Sequence, residues 1–184
     1  TFKYFSVEKD PSNNCLDTAI ITDPKLRTKK TVEKLNERYK DGDGNYIRRR
    51  DPKDDFGTNP CSEIILRSRE FCNLSEIVVR REDTRESLKE KVRSATILGT
   101  FQSTLTEFKY LSREWKRNCD EERLLGVSLT GIMDNPITNG SKKGLDTLLE
   151  ELRDVAYETN KEWAEKLGIP PSAAITCVKP SGTV

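Results

Sequence analysis

Residues 71–101 read FCNLSEIVVRREDTRESLKEKVRSATILGTF, and their order decides the fold. Residues 71–79 are rich in Ile, Val, Leu and Phe, a composition that favours a strand. Residues 83–86 (DTRE) have the spacing of a capping box, which marks the start of a helix. From Leu88 to Phe108, apolar residues recur at steps of three and four, so we expect an amphipathic helix there. A strand therefore leads directly into a helix.

The same kinds of element recur on both sides of this stretch. Residues 63–66 (EIIL) favour a strand, and residues 124–133, with two glycines, favour a strand or a strand followed by a turn. The leucine-rich residues 145–167 predict a second helix, which a glycine and two prolines end. Residues 173–178 predict a short apolar strand. The order strand, helix, strand, helix, strand predicts an α/β domain with crossover connections, in which ligands gather at the carboxyl ends of strands.

Length and charge limit the classes of function. The chain has 184 residues, which is enough for one ordinary domain. Its 32 basic and 31 acidic residues give a net charge of +1, so nothing global attracts it to nucleic acid or membranes. Hydrophobic and charged residues each make up 34%, which indicates a thin core and a chain that is part of something larger. With no signal sequence and no long apolar span, we expect a reducing, cytoplasmic location and no membrane partner.

The residue types exclude several catalytic designs. The chain has no histidine, which rules out a Ser-His-Asp triad or an HExxH zinc site within these residues. Its five cysteines include no CxxC pair, which argues against structural zinc, and we assign no metal ligand. No acidic or basic residue lies in the sequence where it would suggest a catalytic role for Cys15, Cys119 or Cys177. We expect structural or incidental roles for them, with Cys177 in the core.

The segment FGTNPCSEIIL (56–66) concentrates reactive groups. Asn59, Cys61 and Glu63 are two residues apart, so in an extended strand their side chains share one face. Together a thiol, a carboxylate and a carboxamide can carry radical or nucleophilic chemistry, proton transfer and hydrogen bonding. Cys72 follows eleven residues after Cys61, and a hairpin would return it near Cys61. Composition alone nevertheless favours Cys61 as a small buried hydrophobe.

Two further segments have a functional and a structural interpretation. In ITCVKPSGTV (175–184), backbone amides, hydroxyls and a lysine suit a phosphate, although Pro-Ser-Gly is also an ordinary turn. Residues 25–53 hold eleven bases against five acids. A solvated surface or a subdomain contact explains that excess, and a nucleic-acid-binding module is the alternative.

Four motifs, taken in their order along the chain, favour the functional interpretation over the structural one. They are TNPCSEIIL (58–66), FCNLSEIVVR (71–80), ERLLGVSLTGIMD (122–134) and ITCVKPSGTV (175–184). Together they resemble ribonucleotide reductases, most closely the adenosylcobalamin-dependent class of the monomeric ribonucleoside-triphosphate reductase type. The resemblance implies a ten-stranded α/β barrel with a central finger loop. We expect residues 46–184 to be part of that catalytic barrel, cut at the phosphate loop, and residues 1–45 to be a poorly matched N-terminal segment.

The resemblance also implies roles for individual residues. Cys61 matches the finger-loop cysteine that becomes a thiyl radical when the cobalt–carbon bond of adenosylcobalamin breaks, and that takes the 3′-hydrogen of the ribose. Glu63 matches the general base, and Asn59 matches the residue that binds the ribose hydroxyls. Cys72 matches one of two cysteines that supply reducing equivalents; its partner is not assigned. The loop that holds the substrate phosphates is matched by Pro180, Ser181, Gly182 and Thr183.

The implied partners are a ribonucleoside triphosphate substrate, thioredoxin or a similar dithiol reductant, and a nucleotide effector. No direct nucleic-acid partner is expected. We expect the 184-residue chain to be an enzyme fragment that is inactive alone. The alternatives are a diphosphate-specific or diiron-dependent reductase, a nucleic-acid-binding module on residues 25–53, and a plain α/β structural domain.

Overall fold

A computed structural model describes residues 56–61 and 63–179. Its elements, in chain order, are β1 (Phe56–Thr58), β2 (Ile65–Arg67), β3 (Asn73–Val78), α1 (Arg85–Gln102), α2 (Arg113–Glu122), β4 (Leu125–Thr130), a short 3-10 turn (Ile132–Asp134) and α3 (Leu145–Leu167). The elements after β1 lie in one compact unit, Thr58–Val184. This order confirms the mixed α/β class, while the ten-stranded barrel stays a prediction.

Several sequence predictions fall outside the described residues. They are the N-terminal segment 1–45, the basic stretch 25–53, Cys15 and the phosphate loop at 180–183. Within the part of the chain that is described, no helix is both long and apolar enough to cross a membrane.

Strand β4 is the centre of a parallel arrangement. On one side it pairs with β3 in a register that runs from Asn73↔Leu125 to Val78↔Thr130. On the other side residues 173–179 run alongside it, with a parallel bridge between Val127 and Thr176 and a 3.1 Å hydrogen bond from the Cys177 amide to the Val127 carbonyl. The chain between β3 and β4 includes two helices, which is the long crossover that a parallel pair requires.

The hairpin that would have returned Cys72 to Cys61 is therefore a wrong prediction. Strand β3 pairs with β4, and β2 belongs to a different sheet. All six residues of β3 are in register with β4, whereas β2 pairs with β1, so no hairpin joins β2 to β3 in the described residues.

Helix α1 begins at a capping box, one residue later than the sequence spacing indicated. The Thr84 hydroxyl accepts a hydrogen bond from the Ser87 amide at 3.2 Å, and the Ser87 hydroxyl accepts one from the Thr84 amide at 2.9 Å. The helix ends at Gln102, before Leu105 and Phe108. The hydroxyls that follow bond to carbonyls of the last turn, an alternative to continued helix.

Helix α3 covers the predicted range, and glycines bound it at both ends. Gly144 and Gly168 have φ values of 91° and 66°, in the left-handed region that favours glycine. After Gly168 the Ile169 amide bonds to the Ala164 carbonyl at 3.0 Å, which satisfies a carbonyl of the last turn. The chain is thereby turned back to run beside β4.

The core lies between the sheet and helices α1 and α3. Along β3 the residues alternate: Ile77 is buried, whereas Leu74 and Val78 are exposed. Eleven buried residues form the core cluster: Ile77, Val79, Leu88, Val92, Ala95, Leu125, Val127, Leu148, Leu152, Ala156 and Ile175. The helices therefore cover one face of the sheet, and the other face, which we call the open face, carries the alternate residues.

Candidate functional site

A braced loop carries the first group of predicted site residues. The Asn59 amide donates to the Ile64 carbonyl at 3.1 Å, and the Ile64 amide donates to the Asn59 Oδ1 atom at 3.2 Å. These two bonds close a loop between β1 and β2 whose turn contains Pro60 and Cys61. The segment is thus a closed loop, not the extended strand in which the three side chains would share a face.

The loop exposes a thiol and shields a carboxylate. Cys61 is exposed and is not in a disulfide. Both carboxylate oxygens of Glu63 are shielded from solvent, and they accept no hydrogen bond from the described residues. Burying a carboxylate without partners costs free energy, so Glu63 is a group whose hydrogen-bonding capacity is available to a ligand.

The Asn59 side chain has two polar atoms that can form separate hydrogen bonds in this loop. Its Oδ1 atom is used by the Ile64 amide, while its Nδ2 atom donates to no residue in the described part of the chain. An amide carries two donors on that nitrogen. Asn59 can therefore brace the loop and at the same time donate to a hydroxyl. Among the described residues, no hydrogen bond joins the side chains of Asn59, Cys61 and Glu63 to one another.

A charged cluster fixes the segment that follows. The Arg67 guanidinium contacts Glu121 at 2.9 Å and Glu122 at 3.4 Å, and the Arg67 amide donates to Glu70 at 2.8 Å. Glu70 and Glu122 are buried. Burial opposes the charge of Arg67, but the neighbouring carboxylates outweigh it and raise the pKa of Arg67. Arg67 is thus a permanent cation that binds β2 to α2.

Helix α2 also holds the turn just before Cys72. The Asn118 side chain donates to the Ser68 carbonyl at 2.9 Å. The Phe71 ring packs against Trp115 and Phe108, with centroid distances of 4.6 and 5.2 Å. Sequence patterns did not single out this helix, because its buried residues, Asn118, Cys119 and Glu122, include no large apolar side chain.

The Cys72 and Cys177 sulfurs approach the same point on the open face. A Cβ atom built on Gly126 would lie 3.2 Å from the Cys72 sulfur and 3.1 Å from the Cys177 sulfur. The same atom would lie 2.6 Å from the Leu74 Cδ2 atom, so a larger residue could not occupy position 126 without displacing its neighbours. Gly126 is required there for close approach.

The prediction that Cys177 is a core residue is wrong. It is only half-buried, and its sulfur lies beside that of Cys72 on the open face. Strand composition alone does not reveal which residues of a short strand point inward, because a shift of one residue exchanges the two faces. Cys119, in contrast, is buried, and burial raises the pKa of its thiol.

The start of the predicted phosphate loop is anchored to β4. The Lys179 amide donates to the Ser128 hydroxyl at 3.0 Å, and Ser128 is buried. The rest of the motif, residues 180–183, lies outside the described residues. Residues 56–61 and 63–179 contain no cluster of three or more acidic, cysteine or histidine side chains that could hold a metal ion.

The described residues define an α/β domain with a braced, thiol-bearing loop and two further thiols on the open face of its sheet. Known proteins are similar to the chain in sequence. The chain is 35% identical over 129 residues to an adenosylcobalamin-dependent ribonucleoside-triphosphate reductase of Euglena gracilis, a match that covers 70% of the chain and 17% of that protein. Enzymes with the same description from Lactobacillus helveticus and Lactobacillus acidophilus are 31% and 29% identical over 154 and 153 residues, which are 70% of this chain and 20% of each enzyme.

These matches confirm the resemblance to adenosylcobalamin-dependent ribonucleoside-triphosphate reductases. The chain spans about a fifth or less of the length of these curated relatives. No protein-family model matches the chain, and no solved structure matches it.

Proposed function

We propose that this chain is part of the catalytic barrel of a ribonucleotide reductase. In this proposal residues 46–184 contribute a portion of a ten-stranded barrel, and residues 1–45 form a separate N-terminal segment. The whole protein reduces ribonucleoside triphosphates to 2′-deoxyribonucleotides for DNA synthesis. The support is the similarity to enzymes of that description, together with a loop whose geometry suits the chemistry.

The observation that carries the proposal is the Asn59–Ile64 loop. It combines the exposed Cys61 thiol with the Glu63 carboxylate two residues later, which is shielded from solvent and accepts no hydrogen bond from the described residues. A thiol that must react with a substrate needs access, and a carboxylate that must accept a proton gains from being kept out of water. Neither arrangement is needed for packing.

The roles we propose follow the order of the reaction. Cys61, as a thiyl radical, takes the 3′-hydrogen of the ribose and returns it to the same carbon after the 2′-carbon is reduced. Glu63 accepts the proton of the 3′-hydroxyl while the 2′-hydroxyl leaves as water. Asn59 donates through its Nδ2 atom to a ribose hydroxyl, which agrees with the use of its oxygen inside the loop.

Cys72 supplies reducing equivalents in this scheme. Two thiols lose two electrons and two protons and become a disulfide, and the ribonucleotide gains them and becomes a deoxyribonucleotide and water. Thioredoxin or a similar dithiol then restores the thiols by exchange. The residues at 180–183 bind the substrate phosphates, and the bond between Lys179 and Ser128 fixes where that loop starts.

Adenosylcobalamin is the cofactor that the relatives' names specify. The exposed Cys61 fits the need for a thiol that a cofactor radical can reach. When bound, the cofactor supplies a carbon-centred radical by homolysis of its cobalt–carbon bond. We assign no residue of the described chain to hold its corrin ring.

The test uses the intact protein, without oxygen, with a ribonucleoside triphosphate and a dithiol. We expect deoxyribonucleoside triphosphate to form only when adenosylcobalamin is added. Parallel reactions with the diphosphate, and with a diiron partner subunit in place of the cofactor, distinguish the alternative reductases. Product that forms equally well without the cobalamin would contradict the cofactor class.

Site variants separate the proposed roles. Glu63→Gln keeps the size of the side chain and removes the base, so we expect product formation to fall by about 10²-fold or more. Glu82→Gln, an exposed glutamate outside the loop, is the matched control and should leave the rate unchanged. A Glu63→Gln enzyme as fast as the control would exclude Glu63 as the base.

A further inference from the structure

Two sulfur atoms from distant parts of the sequence converge on one point. The Cys72 and Cys177 sulfurs lie 3.2 and 3.1 Å from the position that a Gly126 Cβ atom would take. The distance between the two sulfur atoms is therefore no larger than the sum of these two distances. Both residues are half-buried on the open face, so small molecules can approach them.

The sheet geometry decides what the two thiols can do together. Cys72 immediately precedes β3, and Cys177 lies in the segment on the other side of β4. Two strands that flank a third are about 9.6 Å apart, whereas a disulfide needs Cα atoms within about 7 Å. A direct disulfide between Cys72 and Cys177 would therefore require the backbone to move. A bound atom that bridges the two sulfurs would not require this movement.

We propose that Cys72 and Cys177 form a two-thiol site over Gly126 that binds one soft, thiophilic centre through both sulfurs. Bonds from thiolate sulfur to such a centre, zinc for example, are about 2.3 Å long. Two such bonds join sulfurs at most about 4.6 Å apart, so the Cys72 and Cys177 sulfurs would come closer together by at most about 2 Å, with the Leu74 side chain moving aside. Sulfur ligands select soft centres over hard ones.

A trivalent arsenical with one organic substituent matches this site, because it takes two thiols. With phenylarsine oxide, the arsenic forms a bond to each sulfur, and its oxygen leaves as water with the two thiol protons. No oxidation state changes, so neither an oxidant nor a reductant is needed. The other described cysteines cannot compete in the same way, since Cys61 is exposed on a separate loop and Cys119 is buried with a raised pKa.

The test measures binding of phenylarsine oxide to the intact protein in its reduced form. We expect one arsenic to hold Cys72 and Cys177 together, with both protected from iodoacetamide in peptide mass spectra. Cys177→Ser leaves a single sulfur and should weaken binding by about 10²-fold or more, because the second bond is no longer intramolecular. Cys119→Ser and Cys61→Ser are the controls and should bind as the unaltered protein does.

A second pair of variants tests the role of the glycine. Gly126→Ala places a methyl group between the sulfurs and should weaken arsenical binding. Gly99→Ala is the matched control, because its methyl group would meet Leu125 at 3.4 Å on the helix-covered side of the same strand. Equal binding by Cys177→Ser and the unaltered protein, or arsenic bridging Cys72 to Cys15 or Cys61, would overturn the proposal. Loss of nucleotide reduction belongs to the proposed function, whose failure would leave this binding unchanged.

Discussion

The Asn59 Oδ1 atom accepts a hydrogen bond from the Ile64 amide at 3.2 Å, while the Asn59 amide donates to the Ile64 carbonyl. The two residues thus close the loop that presents Cys61. A residue that the sequence resemblance assigns to substrate binding also determines the shape of the loop. Its two polar atoms divide these tasks, since the oxygen faces the loop backbone and the nitrogen has no partner among the described residues.

The first prediction concerns this brace. Asn59→Ala removes the acceptor of the Ile64 amide, at a cost of about 1 kcal/mol in local stability. Hydrogen exchange of the Ile64 amide should accelerate accordingly, by about fivefold. Asn139→Ala is the control, because Asn139 accepts the same kind of hydrogen bond from the Ser141 amide in an exposed loop. It should leave hydrogen exchange at the Ile64 amide unchanged. Unchanged exchange at Ile64 would show that the side chain does not brace the loop.

The second prediction orders the described thiols by reactivity. Cys61 is exposed, Cys72 and Cys177 are half-buried, and Cys119 is buried with a raised pKa. Because the thiolate is the nucleophile, alkylation by iodoacetamide should be fastest at Cys61 and slowest at Cys119. Peptide mass spectrometry after timed alkylation at pH 7 gives the order. Faster labelling of Cys119 than of Cys61 would contradict the structure of both segments.

The third prediction concerns acid stability. Burial alone would raise the pKa of Asp83, but hydrogen bonds from Lys91, the Arg80 amide and Ser87 outweigh it and lower that pKa. Asp83 therefore stabilises the fold above its unfolded pKa of about 3.9, and this contribution is lost as the pH falls through the lower folded value. Asp83→Asn should lower the free energy of unfolding at pH 7 by about 1–3 kcal/mol.

The measurement is urea unfolding at pH 7 and at pH 3. The difference in stability between Asp83→Asn and the unaltered protein should shrink at the lower pH. Asp154→Asn, at an exposed position on α3, should lie within about 0.5 kcal/mol of the unaltered protein at both pH values. A difference for Asp83→Asn that is the same at both pH values would contradict the proposed role of its charge.

The fourth prediction tests the core beneath the site. Leu88 on α1 is fully buried, so Leu88→Ala should destabilise the fold by about 2–5 kcal/mol. Leu98 on the same helix is 67% exposed, and Leu98→Ala should cost less than about 1 kcal/mol. Urea unfolding of both variants decides. Equal losses would mean that α1 does not pack on the sheet through the face seen here.

Local patterns predicted the elements whose burial is apolar and regular. Helix α3 agrees with its predicted range because leucines at helical spacing coincide with a glycine at its end. Helix α2 was not predicted from the sequence, because ion pairs with Arg67 and an amide hydrogen bond to Ser68 fix it in place. Such contacts are long-range in the sequence, so no local pattern reveals them.

The same distinction applies to the candidate site. The spacing of Asn59, Cys61 and Glu63 identified them as a group, since they are adjacent in the chain. The position of Cys177 near Cys72 depends on how β3 and residues 173–179 align with β4, which the sequence does not encode locally. A predicted core residue proved to be a neighbour of the proposed redox thiol.

The most direct test of the central claim, that Cys61 is the reactive thiol, follows the 3′-hydrogen of the substrate. The intact protein is incubated without oxygen with adenosylcobalamin, a dithiol and either a 3′-deuterated or an unlabelled ribonucleoside triphosphate, and the rates of deoxynucleotide formation are compared. We expect product, formed more slowly from the deuterated substrate, with the unaltered protein and with Cys119→Ser, and no product with Cys61→Ser. Continued product formation by a folded Cys61→Ser protein would contradict the assignment.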